Sequence, residues 1–175
     1  HAAPHFRTQQ SGIIVNTSSE SGLGHLGQAS YSAAKEGIVG FTRTIAQDLG
    51  RYGVRCNAIR PRAATRLGGP EAVDAIRRVQ ETFKGAAFGG RDMASTFAGS
   101  TPEQVAALAV WLCTDAAANV NGRTLQVGGD EVGLYAEPEL ARSLMREGGW
   151  NLDALDQYAT RALIGGLENP FAPRK

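Results

Sequence analysis

Short apolar runs and longer stretches of helical periodicity alternate along the first part of the chain. The run Gly12-Ile13-Ile14-Val15-Asn16 predicts a strand, and Val54–Ile59 predicts a second strand that ends at Pro61. Between them, residues 28–50 predict a long helix. The expected core face of that helix carries Ile38, Phe41, Thr42, Ile45 and Leu49. A strand, a helix and a strand in this order form a crossover unit with parallel strands, which predicts an α/β fold with a doubly wound parallel sheet.

The second half of the chain carries further start and stop signals. Thr101 predicts a helix cap, with Pro102 at the first helical position and Gln104 three residues after the cap. The pattern then predicts a turn, a third strand and two helices: Asn121-Gly122, residues 123–127, about 137–147 and about 151–164. Residues 1–10 have the pattern of a helix end. Residues 68–100 combine one amphipathic helix with a glycine-rich stretch that suits a lid or substrate loop.

Composition narrows the functional classes. The chain has 42% apolar and 20% charged residues, which is ordinary for a soluble globular protein. Its formal charge of +1 offers no electrostatic surface for nucleic acid, and no apolar run is long enough to cross a membrane. Cys56 and Cys113 lack a metal-ligand spacing and are expected to be buried, reduced thiols. We therefore expect a cytoplasmic protein with a small-molecule substrate and no metal, nucleic-acid or membrane partner.

A tyrosine and a lysine four residues apart carry the main chemical signal. On a helix, Tyr31 and Lys35 project from the same face, so the ammonium can lie beside the phenol and stabilise its ionised form. That makes Tyr31 a candidate acid or base. Ser18 and Ser19 follow the first predicted strand, where a hydroxyl can donate a hydrogen bond to a substrate oxygen.

Residues 12–67 resemble the catalytic half of a short-chain dehydrogenase/reductase. The matching features are the serines at a strand end, the Tyr31-x-x-x-Lys35 pair, Gln28 ahead of the tyrosine, and Pro61 followed by Thr65. The resemblance implies an NAD(P)-dependent oxidoreductase that transfers hydride between nicotinamide and a secondary alcohol or ketone, with the tyrosine moving the proton. The residues that it implies for contact with NAD or NADP are Tyr31, Lys35, Pro61, Ala64 and Thr65.

The resemblance also implies a domain organisation. Residues 1–130 are expected to be the C-terminal half of a Rossmann-like domain, with the catalytic segment at 12–67 and the lid or substrate loop at 68–100. Residues 131–175 are expected to form a C-terminal helical extension. Three strands leave an open parallel edge, and the chain lacks a glycine-rich turn for a pyrophosphate, since Gly22–Gly27 matches that motif in letters but follows the wrong strand. We therefore expect a longer protein, whose N-terminal half is supplied by the same or another chain.

The sequence leaves two candidates for the catalytic serine. Counting back thirteen residues from Tyr31, a common spacing in the family, points to Ser18, whereas the S-x-x-G pattern points to Ser19. A loop tolerates a deletion more easily than a strand end tolerates a register shift, so we favour Ser19. The predicted catalytic set is then Ser19, Tyr31 and Lys35.

Charged residues near these motifs have more than one interpretation. Arg60, Arg62 and Arg66 crowd the end of the second strand and the loop after it. They either receive an acidic substrate group, such as the phosphates of a coenzyme A thioester, or form solvated surface. Arg62 stands where most family members have glycine. His25 lies between the serine and the tyrosine, where family members often contact substrate, so we assign His25 and Arg66 as candidate substrate contacts.

The expected substrate follows from resemblance alone. The run Gln28–Lys35, the pair Thr65-Arg66 and the extension past Gly129 resemble members that act on 3-hydroxyacyl coenzyme A, so we expect a 3-hydroxyacyl or 3-oxoacyl thioester, or a steroid. A second hypothesis is a non-catalytic partner subunit or structural domain that retains the tyrosine helix for assembly. In this family that helix commonly packs against its mate, and Gly37 and Gly40 would allow close approach in a homo-oligomer, either a dimer or a tetramer.

Overall fold

The described residues form a sheet of three parallel strands and one antiparallel strand. A computed structural model shows β1 (Gly12–Thr17), β2 (Val54–Pro61) and β3 (Thr124–Gly128) side by side in that order, with β4 (Glu131–Leu134) antiparallel to β3. The structure describes residues 1–65 and 100–171, together with the single positions 71, 74, 75, 78, 81 and 82. Their contacts divide them into two compact units, one that ends at Tyr135 and one that begins at Ala136.

Helices precede, link and follow the strands. α1 (Ala2–Gln9) leads into β1, and α2 (Ala29–Gly50) connects β1 to β2. A short 3-10 turn at Glu20–Leu23 lies between β1 and α2. α3 (Pro102–Leu112) precedes β3, and α4 (Leu152–Ala162) belongs to the second unit. None of the described helices combines the length and the apolar character that a bilayer crossing requires.

β2 lies between the other two parallel strands, and both of its faces are covered. Alternate side chains of a strand point to opposite faces, so Ile59 joins the apolar cluster of Leu108 and Leu112 from α3. On the other face, Cys56 Sγ lies 3.5 Å from the side-chain amide of Asn16. The buried side chains of α2 are Val39, Thr42, Ala46 and Leu49. Because β1 and β2 are parallel, the segments that follow them both leave the sheet at its carboxyl edge, where the parallel strands end.

The structure confirms the predicted fold class and most predicted elements. The three predicted strands coincide with β1, β2 and β3, and the long predicted helix coincides with α2. Thr101 caps α3: its hydroxyl accepts from the Gln104 amide, and the Gln104 side chain accepts from the Thr101 amide. These elements form where their local signals predict them, because capping and periodicity act over a few residues.

Other predictions are wrong. The chain is irregular over the predicted helix at about 137–147, where Leu140 and Met145 are 88% and 97% exposed. A helix of that length without a buried apolar face is not stable in water. The extension expected at 131–175 contains α4, which falls on the predicted helix at about 151–164, but it begins with β4, which pairs with β3. Phe41, expected in the core, is 57% exposed.

Candidate active site

Tyr31 and Lys35 lie on one face of the first turns of α2. The Lys35 Nζ atom is 5.7 Å from the centre of the Tyr31 ring, as expected for side chains four residues apart on a helix. The Tyr31 side chain is 45% exposed. A phenol that is accessible and lies near an ammonium can exchange a proton with a bound molecule.

Lys35 also connects α2 to the end of β1. Its Nζ atom donates to the carbonyl of Thr17, the last residue of β1, over 3.1 Å. The ammonium is therefore anchored at the carboxyl edge of the parallel strands. This is the edge at which open α/β sheets bind their ligands.

The structure gives the adjacent serines different surroundings. Ser18 is buried, and its hydroxyl donates to the main-chain carbonyl of Lys35 over 2.7 Å. Ser19 is half-buried, and its hydroxyl oxygen accepts from the Ser21 amide over 3.2 Å. Because Ser19 accepts in this bond, its own proton stays available for a substrate oxygen, whereas the proton of Ser18 is committed to α2.

The 3-10 turn after Ser19 packs directly on charged groups. A side chain at Gly22 would meet Arg60 Nη1 at 2.8 Å and Glu36 Oε2 at 2.9 Å. It would also lie 3.1 Å from the main-chain nitrogen of Glu36, so a larger residue would have to displace the turn or these groups. The Arg60–Glu36 ion pair fills the space beside Gly22 and leaves no room for a pyrophosphate at that glycine.

Arg60 is buried at the end of β2 and pairs with two parts of the candidate site. Its Nη1 atom donates to the Ser19 carbonyl over 2.6 Å, and its Nη2 atom donates to Glu36 Oε2 over 2.7 Å. Its guanidinium carbon lies 5.0 Å from the centre of the Tyr135 ring. Arg60 is 2% exposed. The solvated-surface interpretation of Arg60 is therefore wrong. Both of its Nη atoms donate within the chain, which disfavours the substrate interpretation, and its buried Nε atom has no hydrogen-bond partner among the described residues.

Arg62 is likewise engaged by carboxylates. Its Nε atom lies 3.2 Å from Glu20 Oε2, and its Nη2 atom donates to Glu131 Oε2 of β4 over 2.6 Å. The side chain is only 12% exposed. These ion pairs disfavour both the surface and the substrate interpretation of Arg62. They link the turn of Ser19–Leu23, called the serine turn below, to β4 of the sheet.

Tyr135 contacts the same charged side chains beside the serine turn, namely Glu20 and Arg60. Its hydroxyl donates to Gln126 Oε1 over 3.1 Å and lies 3.4 Å from Glu20 Oε1. Burial, followed by the negative charge of Glu20, raises the pKa of Tyr135 above its ordinary value of 10.0. The phenol therefore stays protonated and keeps its hydrogen bond at neutral pH.

The loop after β2 holds the predicted nicotinamide contacts. Pro61 ends β2 opposite Val127 of β3. The Ala64 amide donates to the Ser100 carbonyl over 2.9 Å, so this amide is engaged within the chain. Thr65, the next residue, is exposed. The loop thus leaves the sheet at the same edge as the serine turn.

The predicted substrate contacts are only partly described. His25 is half-buried between the 3-10 turn and α2, and its Nδ1 atom lies 3.1 Å from the Leu26 carbonyl. Arg66 lies outside the described residues, as does most of the predicted lid at 68–100. Ser100, at the end of that segment, is buried.

Comparison with known proteins decides the family. A family model described as enoyl-(acyl carrier protein) reductase matches residues 1–129. The chain belongs to the short-chain dehydrogenase/reductase family. Solved structures agree: a short chain dehydrogenase from Mycobacterium avium superposes with a TM-score of 0.67 at 31% identity, over 99% of this chain and 53% of the other.

Curated relatives of this short-chain dehydrogenase/reductase carry oxidoreductase names. A hydroxyacyl-CoA dehydrogenase of Mycobacterium tuberculosis is 38% identical over 138 residues, which cover 78% of this chain and 39% of the relative. An acetoacetyl-CoA reductase of an Acinetobacter species is 36% identical over 129 residues, which cover 73% of this chain and 46% of the relative. The chain therefore spans less than half the length of these two relatives.

The residues of this short-chain dehydrogenase/reductase chain fit one half of a nicotinamide cofactor. Three side chains could donate to a ribose or a carboxamide: Tyr31, Lys35 and Thr65. They lie on α2 and on the loop after β2, which both follow strands at the carboxyl edge of the sheet. The pyrophosphate half does not fit the described residues, because the glycine-rich turn available to it packs on Arg60 and Glu36. A cofactor would need its phosphates bound by residues outside this set.

Sequence reasoning missed the partners of Arg60 in this short-chain dehydrogenase/reductase. One signal for such a pairing was present: Arg60 stands inside an apolar strand, directly after Ile59. An arginine in a buried strand requires an internal partner. Which carboxylate supplies it could not be read from the sequence, because Glu36 is 24 residues away along the chain.

Proposed function

We propose that this chain carries the proton-transfer half of an NAD(P)-dependent oxidoreductase that acts on a secondary alcohol or ketone. The observation that carries the proposal is the Tyr31–Lys35 pair, with ammonium and ring centre 5.7 Å apart and the ammonium bonded to the end of β1. The dehydrogenase and reductase names of the relatives support the same class of reaction.

The proposed chemistry assigns a separate role to each side chain. When bound, a nicotinamide cofactor supplies hydride to a carbonyl carbon or accepts it from an alcohol carbon. In the reductive direction the substrate oxygen gains negative charge, and the phenol of Tyr31 gives it a proton. The Ser19 hydroxyl donates a hydrogen bond to the same oxygen, where its stabilisation grows as the charge develops. Lys35 stabilises the resulting phenolate through its positive charge.

The same residues are the proposed cofactor contacts. Tyr31 and Lys35 would hold the nicotinamide ribose, while the loop of Pro61, Ala64 and Thr65 would meet the carboxamide. Because the Ala64 amide already donates to Ser100, we expect the Thr65 hydroxyl to be the main donor of the loop. We propose NAD or NADP without a preference, since the adenosine side falls outside this set of residues.

For the substrate we propose a 3-hydroxyacyl or 3-oxoacyl thioester, with a steroid as the alternative. The support is the names of relatives: hydroxyacyl-CoA dehydrogenase, acetoacetyl-CoA reductase and 3beta-hydroxysteroid dehydrogenase. We keep His25 and Arg66 as proposed substrate contacts. A cytoplasmic location is likewise proposed from composition.

Replacing Tyr31 with phenylalanine tests the function. In the full-length protein, oxidation of NADH or NADPH is measured with acetoacetyl-CoA and a panel of ketones. Tyr31→Phe is expected to lower kcat by about 10²–10⁴-fold because the general acid is lost. Cofactor binding should weaken by no more than about tenfold, since one hydrogen bond to the ribose is lost and Lys35 is retained. Tyr52→Phe is the matched control, since its hydroxyl interacts with the neighbouring Arg51 at the far end of α2. Unchanged turnover in Tyr31→Phe would remove the assigned role.

A non-catalytic partner subunit is the second proposed function. The observation that favours it is the outer face of α2, where a side chain at Gly37 or Gly40 would meet none of the described residues within 4 Å and Phe41 is exposed. These features suit close packing against a second copy, so we propose a homo-oligomer in either case. A full-length preparation that forms the oligomer but reduces no ketone would favour this function over the enzyme.

A further inference from the structure

We propose that Arg60 is a positioning residue, which holds the Ser19 turn and the helix of Tyr31 and Lys35 in one arrangement. The inference rests on the proposed function, because it concerns how the side chains of that reaction keep their places. Arg60 itself is not placed in contact with substrate or cofactor.

Arg60 is buried, so its charge depends on the few groups that contact it. It occupies the end of β2, between Ile59 and Pro61, and is 2% exposed. Burying a guanidinium is costly unless neighbouring groups compensate its charge and accept hydrogen bonds from it. Its two hydrogen-bond partners, the Ser19 carbonyl and the Glu36 carboxylate, come from two other segments, and both segments belong to the candidate site. One strand residue therefore adds a charged bridge between these two parts of the site, beside the Ser18–Lys35 bond.

The first segment is the serine turn. Arg60 Nη1 donates to the carbonyl of Ser19, which also accepts the Gly22 amide over 3.1 Å. The main chain of Ser19 is thus fixed at the residue whose hydroxyl would meet the substrate. Gly22 packs against the same guanidinium, so the turn has no room to shift toward β2.

The second segment is the start of α2. Arg60 Nη2 donates to Glu36, the residue directly after Lys35. A movement of α2 relative to the turn would stretch this charged pair. The bridge therefore constrains the position of Ser19 relative to Tyr31, and reactions of this kind are sensitive to displacements of about 1 Å.

Arginine suits this bridge better than lysine. A guanidinium offers several donors in a fixed plane and can bond a carbonyl and a carboxylate together, whereas an ammonium is a point charge on a flexible chain. The guanidinium also stacks over the ring of Tyr135, which limits its remaining freedom. Arg60→Lys therefore keeps the positive charge but loses the planar group that bonds the Ser19 carbonyl and Glu36 together.

The kinetic test uses the full-length protein with acetoacetyl-CoA and the preferred nicotinamide cofactor. Arg60→Lys is expected to lower kcat about tenfold or more, while KM changes by less than about threefold. The same substitution in a Ser19→Ala background should have little further effect, because Arg60 acts through Ser19. Glu36→Gln, which leaves the arginine intact, is the second variant if Arg60→Lys folds poorly.

Arg55→Lys is the matched control. Arg55 lies on the same strand, and its guanidinium donates to the carbonyl of Leu112 at the end of α3 and to those of Thr114 and Ala117 just after it. The Arg55→Lys substitution removes a second hydrogen-bonded guanidinium from β2, at the opposite end of the strand. We expect it to lower thermal stability without changing kcat.

Hydrogen–deuterium exchange provides a readout that does not depend on activity. Peptides over residues 17–28 should exchange faster in Arg60→Lys and in Glu36→Gln than in Arg55→Lys. Unchanged exchange in both variants, or an equal loss of kcat with and without Ser19, would overturn the inference. A wild type that lacks oxidoreductase activity would overturn the proposed function instead, while the exchange result would still decide whether Arg60 holds the turn.

Discussion

The hydroxyl of Ser18 donates to the main-chain carbonyl of Lys35 over 2.7 Å. This bond joins the end of β1 to α2 and commits the proton of the buried Ser18 hydroxyl to the helix. Its neighbour Ser19 caps the following 3-10 turn and keeps its proton. The relationship between Ser18 and Lys35 supports the choice of Ser19 in the proposed catalytic set.

Alanine at each serine should separate the two roles. Ser19→Ala is expected to lower kcat by about 10²-fold, since it removes one donor to the developing oxyanion. Ser18→Ala should instead lower the free energy of unfolding by about 1 kcal/mol through the lost hydrogen bond to Lys35. Steady-state kinetics and urea unfolding of both variants check this. The reverse pattern would make Ser18 the catalytic serine.

Gly22→Ala should disturb the serine turn. The new Cβ atom would lie 2.8 Å from Arg60 Nη1 and 3.1 Å from the main-chain nitrogen of Glu36. Overpacking of this kind costs about 1–3 kcal/mol, and we expect a loss of kcat as well because Ser19 would move. Gly50→Ala is the control, since its Cβ atom would make an ordinary contact of 3.5 Å with Asn121. Equal unfolding curves for both variants would contradict the packing argument.

A large side chain on the outer face of α2 tests the proposed oligomer. Gly40→Leu meets no described residue of its own chain within 4 Å of the new Cβ atom, and leucine is the better helix former by about 1 kcal/mol. The isolated chain should tolerate it, whereas a closely packed subunit interface should not. Light scattering is expected to show a smaller species for the variant than for the wild type. An unchanged mass with a raised melting temperature would place the interface elsewhere.

Tyr135 predicts a loss of stability at alkaline pH. Burial and the charge of Glu20 raise its pKa above 10.0 in the folded protein, so folding holds its proton more tightly than the unfolded chain does. That contribution is complete below the unfolded pKa and is lost as pH rises through the folded pKa. The stability difference between wild type and Tyr135→Phe should therefore shrink above about pH 10. Urea unfolding at a series of pH values checks this; a constant difference would contradict it.

The cysteines should react at different rates. Cys113 is exposed, contrary to the expectation from sequence, whereas Cys56 is buried as expected and burial raises its pKa above 9.0. The thiolate is the reactive form, so iodoacetamide should label Cys113 quickly and Cys56 only after unfolding. Peptide mass spectrometry locates the label, with Cys113→Ser as the control. Equal labelling of both thiols in the native protein would contradict the buried position of Cys56.

Local signals account for the parts of the fold that the sequence predicted. The strands β1, β2 and β3 are apolar runs bounded by turn residues, and α3 begins at the capping pair of Thr101 and Gln104. The prediction failed where structure depends on distant partners. β4 exists because it pairs with β3, whereas Leu140 and Met145 of the segment predicted as a helix at 137–147 remain exposed among the described residues.

The sequence by itself determined that Tyr31 and Lys35 would lie together, because helix geometry alone places residues four apart on one face. It also determined the crossover that brings the ends of β1 and β2 to one edge. Only the tertiary structure decided that Ser18 bonds to α2 and that Arg60 reaches the Ser19 carbonyl, 41 residues away. The physical reason is range: periodicity and capping act within a few turns of chain, whereas the partner of a buried charge is chosen by whatever the folded sheet brings beside it.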